Sequence, residues 1–567
     1  AVYEELKQTW EEMIAPGQLF EVTTQEVRGA PAKCFALAPG SLRDFWLSTA
    51  GYADKEYLVF QDERCTYAQA HTYVASIANW LHSQGVGPGD RVAIAMRNYP
   101  EWMLAYWAIT SMGAVVVGVN AWWVPHELNF GLQDSAPKVL ICDRERMLRF
   151  AEIRENFPDL RVAVVRLQDE VPDWATDWVE VINAPAELPD AVIDPDDDAC
   201  IFYTSGTTGT PKGAQLTHRG CIANVMNTAF MNMVQPRALA RAAGEDISGP
   251  ASLPDVRAII ATPLFHVTAN NCVAQVTTLT GGKLVHMYKW DAGEALRLIE
   301  AENITSFAGV PMMTRELLLH PDAKTRDLSS LKGIGGGGAA MQPDLVEKVD
   351  KTMDDVSPTT GYGMTEVCGL ISAIGAQFFV DRPSSVGLPV PTLDAKCVDA
   401  QGNTLAAGEI GERCVRGSPV IKGYLNRPEA TAETIVDGWL HTGDIAYIDQ
   451  DGFIYLVDRA KDMVLRGGEN VYCAEVENTL FSHDEVMECV AFAVPDERLG
   501  EEVGAAIYAK PGSSVTADDM RAHCKALLAS YKIPRYIWFV SEPLPRNASG
   551  KFVKAQVKEA LALEDAS

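Results

Sequence analysis

Between about residues 40 and 390 the chain alternates two hydrophobic patterns, and this alternation constrains the fold more than any other feature. Short, fully apolar runs at 91–95 (RVAIA), 138–142 (KVLIC) and 258–261 (AIIA) read as strands buried on both faces. Segments 68–82 and 293–302 carry helical spacing instead. Strands separated by helices cannot close as hairpins. They must run parallel, with the helices covering the sheet faces. The alternation is too long for one sheet, so two are expected.

The stretch 102–119 contains eighteen residues and no charge, which touches the length of a membrane-spanning helix. Pro100 stands where a helix can start and Gly113 where one can stop. Val115, Val116 and Val117 then form a β-branched run. The stretch therefore reads as a core helix followed by a buried strand, and no transmembrane segment is expected. The N-terminus lacks a basic start followed by an apolar core, so no signal peptide is read there. Lys and Arg number 48 against 76 Asp and Glu, a formal charge of −28. That field repels phosphate backbones and anionic lipid, which excludes a general nucleic-acid binder and a broad basic membrane face. The twelve cysteines form no C-x-x-C pair and the histidines supply no zinc-like spacing. The cysteines read as reduced, buried, small apolar residues of a cytoplasmic protein.

Near residue 390 the texture changes. Turn signals at 399–403 (DAQGN) and 449–452 (DQDG) separate short alternating strands, and 445–448 should pair with 453–457 as a hairpin. The fold class expected is α/β. An N-terminal domain over 1–460 holds two helix-covered, mostly parallel sheets and a barrel-like subdomain at about 390–458. A smaller α+β C-terminal domain covers 461–567. The proline-bounded run 236–254 is expected to be a surface excursion.

The densest chemical signal is Tyr203-Thr204-Ser205-Gly206-Thr207-Thr208-Gly209-Thr210-Pro211-Lys212-Gly213, between a short strand at 200–203 and a helical pattern from about His218. Its glycines let backbone N–H groups turn toward one point, its hydroxyls add donors, and Lys212 adds positive charge. Together they suit a polyphosphate. It is not a Walker loop, which would need Gly where Pro211 stands and Ser or Thr where Gly213 stands. In Thr360-Gly361-Tyr362-Gly363-Met364-Thr365-Glu366, Tyr362 offers a flat face for a purine and Gly363 lets the backbone approach a ligand. Glu366 is a hard oxygen donor suited to magnesium.

These segments resemble the phosphate loop and the G-Y-G-x-T-E motif of the adenylate-forming superfamily of acyl-CoA synthetases, firefly-type luciferases and peptide-synthetase adenylation domains. The acyl-CoA synthetase branch is the most similar. Gly335-Gly336-Gly337-Gly338-Ala339-Ala340 resembles that family's Gly-rich strand-to-helix crossing, and Trp439-Leu440-His441-Thr442-Gly443-Asp444 its W-x-x-T-G-D motif. Leu544-Pro545-Arg546-Asn547-Ala548-Ser549-Gly550-Lys551 resembles its L-P-R-T-x-x-G-K loop, with Asn547 in place of the common Thr. Gly467-Gly468-Glu469-Asn470-Val471-Tyr472-Cys473 resembles its G-G-E-N-V-Y-P segment, with Cys473 in place of Pro. In Asp458-Arg459-Ala460-Lys461-Asp462 an Asp precedes the Arg where many relatives have Gly, a change expected to be harmless.

The resemblance implies an ATP or AMP site made by Thr204, Ser205, Gly206, Thr207, Thr208, Gly209, Lys212, Gly337, Gly338, Thr360, Gly361, Tyr362, Gly363, Met364, Thr365, Asp444, Arg459 and Lys551. It assigns catalytic roles to Lys551, Lys212, Glu366, Thr365 and His266, and the magnesium ion to Glu366. It implies a hinge at Lys461, about which a mobile C-terminal domain turns, and a coenzyme A channel at Gly467, Gly468 and Glu469. The acyl site implied comprises His266, Val267, Phe307, Val310, Gly336, Gly337, Met364 and Cys368, with Leu370 and a more polar Asn270 and Asn271 nearby. The partners implied are a small carboxylic acid, ATP and coenzyme A, in a chain that can form homodimers. The reaction implied is activation of a carboxylate as acyl-AMP and its transfer to coenzyme A. A medium- or long-chain fatty acid is the acid expected, with an aryl or phenylpropanoid-type acid as the close rival. A ligase loading a carrier protein, a luciferase-like oxygenase and a non-catalytic nucleotide or acyl sensor are the other readings.

Overall fold

The apolar runs at 91–95, 138–142 and 258–261 all form strands, and Arg91–Ala95 lies at the centre of a seven-stranded sheet. That sheet's order is Lys212–Thr217, Asp198–Thr204, Val115–Gly118, Arg91–Ala95, Val139–Asp143, Arg161–Val165 and Ala175–Asp177. Every pair is parallel except the first. A nine-stranded sheet runs parallel from Ser357–Met364 through Gly333–Gly336, Ser306–Ala308, Arg257–Ile260 and Lys283–His286 to Glu56–Phe60. Antiparallel strands finish both of its edges, Gly369–Gly375 with Leu388–Pro389 on one side and Glu63–Thr66 on the other. The computed structural model describes residues 2–204, 210–338 and 341–567.

The uncharged stretch splits as expected into helix Pro100–Ser111 and strand Val115–Gly118. Every residue of the helix is buried except Glu101, whose carboxylate meets Arg166 at 3.0 Å. A helix apolar all round has protein on every side, and this one lies between the two sheets. Trp107 stacks on Phe45 and Trp46 at 5.4 and 5.3 Å, and its indole N–H donates to the Tyr57 hydroxyl at 2.9 Å, on a strand of the second sheet. Among the described residues no helix is long and apolar enough to cross a membrane.

After the second sheet the chain builds a five-stranded antiparallel sheet from Leu393–Val398, Gly411–Gly417, Ile435–Val436, Trp439–Ile448 and Ile454–Arg459. The hairpin expected across the DQDG turn is Trp439–Ile448 with Ile454–Arg459. Among the described residues the ladders leave this sheet open rather than closed into a ring. The last sheet contains Val464–Arg466, Glu469–Val471, Val486–Asp496, Gly500–Ala509 and Tyr536–Phe539, so sheet membership changes between Arg459 and Val464. The excursion expected at 236–254 is shorter. Helix His218–Ala242 continues through Pro236, because the burial of Val234, Gln235 and Ala238 holds its last turns in place. All twelve cysteines are free, and all but Cys65 and Cys272 are buried.

Candidate active site

The strands on either side of the candidate phosphate loop, Asp198–Thr204 and Lys212–Thr217, pair as an antiparallel hairpin. Thr204 faces Lys212 in antiparallel register, and the Thr204 hydroxyl donates to the Lys212 carbonyl at 3.3 Å. Strand Lys212–Thr217 therefore intervenes before the helix that begins at His218, whose first turn is capped by Thr217. Ser205, Gly206, Thr207, Thr208 and Gly209 lie outside the described residues, as do Ala339 and Ala340. A strap at 421–425 ties this hairpin to the second sheet. The Ile421 N–H donates to the Glu366 carbonyl at 3.0 Å, the Gln215 N–H to the Gly423 carbonyl at 2.9 Å, and the Leu425 N–H to the Gly213 carbonyl at 2.7 Å. The strap also carries Tyr424, with the Lys212 ammonium 4.8 Å from its ring centre. Lys212, Tyr424 and Glu366 are thereby brought together from three separate segments.

Thr360, Gly361, Tyr362, Gly363 and Met364 lie on strand Ser357–Met364, and Thr365 and Glu366 open the short turn that follows. The Thr360 hydroxyl donates to the Gly336 carbonyl at 3.0 Å, joining this strand to the Gly-rich strand that leads into Gly337 and Gly338. The demand for glycine at 363 comes from the fold rather than from a ligand. A Cβ there would stand 1.9 Å from the Gly369 carbonyl on the neighbouring strand. Tyr362 is a buried ring whose hydroxyl donates to Asp444 Oδ2 at 2.5 Å. Asp444 and Arg459 are cross-strand partners, with Arg459 Nε 3.2 Å from Asp444 Oδ1. Behind them Arg413 is fully buried, with two of its guanidinium nitrogens lacking a partner among the described residues.

Lys551 comes from the far end of the chain into the same cleft. Burial pushes its ammonium pKa down and so does the charge of Arg459, while Asp444 and Glu366 oppose them. Burial pushes the Glu366 carboxyl up, against the pull of Arg459, Lys212 and Lys551. An isolated buried carboxylate would neutralise itself. Glu366 instead has three cations around it, and they make a locally positive cleft in a chain of net charge −28.

The loop that presents Lys551 is built by Asn547, the residue that departs from the family pattern. Its side-chain oxygen accepts the N–H groups of Ser549 and Lys551, each at 3.0 Å, and its own N–H donates to the Lys551 carbonyl at 2.8 Å. Gly550 packs so tightly on Val310 that a Cβ would approach Val310 Cγ2 at 2.8 Å. Ser549 Oγ lies 3.2 Å from His266 Nε2. Burial and the Lys551 charge hold the His266 ring down to about 4, so it is neutral at pH 7.

Of the other acyl-site candidates, Val267 follows His266 directly, and Gly336, Gly337 and Met364 lie on or beside the two strands just described. Phe307 is buried, with Trp290 5.5 Å away. Cys368 is fully buried, and its carbonyl accepts from Asn271 Nδ2 at 3.0 Å. Leu370 donates its N–H to Asn224 Oδ1 at 2.8 Å. Asn270, hydrogen-bonded to Asn271, and Gln275, whose Nε2 donates to the Tyr106 hydroxyl at 2.8 Å, are buried, each with a side-chain oxygen that has no partner among the described residues. Gly467, Gly468 and Glu469 form the exposed tip of the hairpin from Val464–Arg466 to Glu469–Val471. No hydrogen bond or ion pair among the described residues joins that tip to Glu366 or Asp444.

Lys461 is exposed at the surface beside Arg459 and Lys554; partial desolvation, followed by those charges, lowers its pKa against the opposing pull of Asp462. The two departures near it are physically one feature. Asp458 Oδ2 accepts the Cys473 N–H at 2.9 Å, a donor that proline would lack. The Asp458 substitution expected to be harmless is therefore the partner of the Cys473 substitution, and the bond spans Lys461. Lys554 completes the cluster, 3.3 Å from Glu477. Tyr424, Asn547 and Ser549 carry roles in the geometry that sequence reasoning did not assign. Asn547 was visible as a departure from a motif, whereas Tyr424 lies in none.

Two family profiles match the chain, the AMP-binding enzyme over residues 45–425 and the AMP-binding enzyme C-terminal domain over 475–551. A feruloyl-CoA synthase from an Amycolatopsis species is 36% identical over 494 residues, 87% of this chain and 93% of that protein. A long-chain-fatty-acid–CoA ligase from Bacillus subtilis is 31% identical over 545 residues, 90% of this chain and 93% of that one. Among solved structures, an anthranilate–CoA ligase in complex with anthranoyl-AMP superposes with a TM-score of 0.83 at 27% identity, covering 92% of this chain and 97% of that one.

Proposed function

Since the chain belongs to the AMP-binding enzymes of the adenylate-forming superfamily, and is an AMP-forming acid–thiol ligase using ATP and coenzyme A, we propose that it works through Lys551 on an aryl acid bearing a hydroxyl group. The observation that carries the mechanism is Lys551 within the field of Asp444, Glu366 and Arg459. In the first half-reaction a carboxylate oxygen bonds to the α-phosphorus of ATP as the bond to pyrophosphate breaks. Negative charge gathers where carboxylate and phosphate meet, and Lys551 is placed to neutralise it without reorganisation. Lys212 and the hairpin hold the triphosphate, Asp444 accepts from the ribose, and Thr365 orients the phosphate. Glu366 is a buried hard oxygen donor that suits magnesium, which takes few carboxylates and completes its shell with phosphate oxygens and water. Glu366 would hold the ion, which when bound supplies charge neutralisation at the triphosphate.

In the second half-reaction the C-terminal domain turns about Lys461, withdraws Lys551 and brings Gly467, Gly468 and Glu469 to the cleft as the coenzyme A channel. The thiol attacks the acyl carbonyl and AMP leaves. Neutral His266, held by Ser549, orients the incoming carboxylate.

The choice of acid rests on two supports. The feruloyl-CoA synthase is more similar in sequence than the fatty-acid ligase, 36% against 31%. Next to the Asn271 that bonds the Cys368 carbonyl, Asn270 also keeps a side-chain oxygen with no partner among the described residues. An alkyl tail would leave such an acceptor unpaired, whereas a phenolic O–H offers it a donor. The test is pyrophosphate release with ferulate, 4-coumarate, cinnamate, octanoate and palmitate, with and without coenzyme A. The proposal expects the hydroxylated acids to have the highest kcat/KM, above cinnamate. Palmitate or octanoate in first place would return the assignment to a fatty acid.

A further inference from the structure

The strand pairing that carries Asp444 also assembles three side chains that the proposed reaction does not use. Glu412 and Cys414 stand two apart on Gly411–Gly417, so their side chains leave one face of the strand. Cys414 is the cross-strand partner of His441 on Trp439–Ile448, and the register shifts between Glu412 and Cys414. That irregularity draws Glu412 to the same imidazole. His441 Nδ1 lies 2.7 Å from Glu412 Oε1 and 3.5 Å from Cys414 Sγ. One ligand atom from each residue falls within 4.8 Å of the others.

We propose that Glu412, Cys414 and His441 bind a zinc-like divalent cation, with a fourth position left to water. A sulfur, an imidazole nitrogen and a carboxylate oxygen form a donor set for zinc or cobalt(II) and not for magnesium. The site has a floor and an opening. Cys414 is fully buried, while the His441 and Glu412 side chains are 31% and 29% exposed, so an ion enters over the imidazole and the carboxylate. It also has an outer support, since Glu412 Oε2 accepts the Gly443 N–H at 3.1 Å and so orients the carboxylate. Lys396, across from Cys414 on Leu393–Val398, keeps its ammonium over the Trp439 ring at 4.2 Å. Burial, with Glu412 beside it, pushes the Cys414 thiol up to about 12, so in the ion's absence it is a neutral S–H. On binding, the S–H bond breaks, the sulfur–metal bond forms and the proton passes to solvent. Thiolate and carboxylate then balance the two positive charges, with no change of oxidation state. A bound ion would sit one hydrogen bond from the backbone of Gly443, next to Asp444.

The test is a titration of the full-length chain with Co²⁺, without nucleotide or magnesium, followed by thiolate-to-cobalt charge-transfer absorption. The proposal predicts that the band saturates near one equivalent, that Zn²⁺ abolishes it, and that it disappears in Cys414→Ser. Glu412→Gln keeps sulfur and imidazole but removes one negative charge, and it should weaken binding at least tenfold while retaining the band. Thermal melting of both variants checks that they fold. A wild-type chain without the band, or a band that persists unchanged in folded Cys414→Ser, would overturn the site. Should Cys414→Ser fail to fold, an undiminished affinity in Glu412→Gln would overturn it equally.

Discussion

Replacing Asp458 with Ala should shift the balance between the enzyme's two half-reactions. In the structure Lys551 occupies the cleft while Asp458 holds the Cys473 N–H at 2.9 Å across Lys461. On the rotation about Lys461 proposed for the second half-reaction these two residues part, so the bond belongs to the pose proposed to form the adenylate. A hydrogen bond to a charged acceptor contributes about 1.5–3 kcal/mol. At about 1.4 kcal/mol per decade, its loss changes the ratio of the two poses by roughly 10- to 150-fold. With fast exchange, each half-reaction is proportional to the population of its pose. The ratio of thioester formation from supplied acyl-adenylate to pyrophosphate release should therefore rise by that factor. Asp458→Asn keeps an acceptor for the N–H and should stay within about threefold of wild type. Single-turnover quench of each half-reaction measures both rates, and thermal melting confirms folding. An unchanged ratio in folded Asp458→Ala would refute the idea that this bond holds the pose.

Asn547→Ala removes the acceptor of two N–H groups that shape the Lys551 loop, a loss of about 1–2 kcal/mol that should slow pyrophosphate release roughly 5- to 30-fold and spare thioester formation. Equal slowing of both would contradict a role confined to positioning Lys551. Lys461→Pro should do the opposite, suppressing thioester formation while adenylate still forms, as burst kinetics with and without coenzyme A would show. Acid should destabilise the fold through His218 and His286, which burial holds down to about 4 and about 3 against the ordinary 6.5. Below about pH 6.5 the unfolded chain takes up protons that the folded chain refuses, so together they cost about 2–3 kcal/mol of stability per pH unit toward pH 4. Denaturant midpoints for His286→Gln should show a shallower fall over that window, and an unchanged slope would remove His286 from the account.

The layered architecture was legible because it is written in periods. The fully apolar runs around 91–95 and 258–261 admit no half-exposed strand, and Pro100, Gly113 and three valines dictate a helix followed by a strand. Element ends were less legible. The run 236–254 reads as a surface excursion from Pro236 onward, but the burial of Val234 and Ala238 carries the helix past that proline. The residue types of the site were visible in their motifs, whereas the reasons for them were not. Gly363 reads as an approach to a ligand, and its cause is the Gly369 carbonyl of the next strand. Asp458 and Cys473 read as two unrelated departures, because only folding sets the carboxylate against the N–H. Glu412, Cys414 and His441 carry no metal spacing along the chain, since their proximity arises from cross-strand pairing and a register shift.

The proposed adenylation step centres on one charge, the ammonium of Lys551 brought from the end of the chain to the cleft of Glu366 and Asp444. Lys551→Ala, assayed in the two half-reactions separately, tests it most directly. Pyrophosphate release should fall by two orders of magnitude or more, the scale on which a preorganised charge-stabilising donor acts. Thioester formation from supplied acyl-adenylate and coenzyme A should continue at close to the wild-type rate. Equal loss of both half-reactions, or an undiminished release of pyrophosphate, would contradict it.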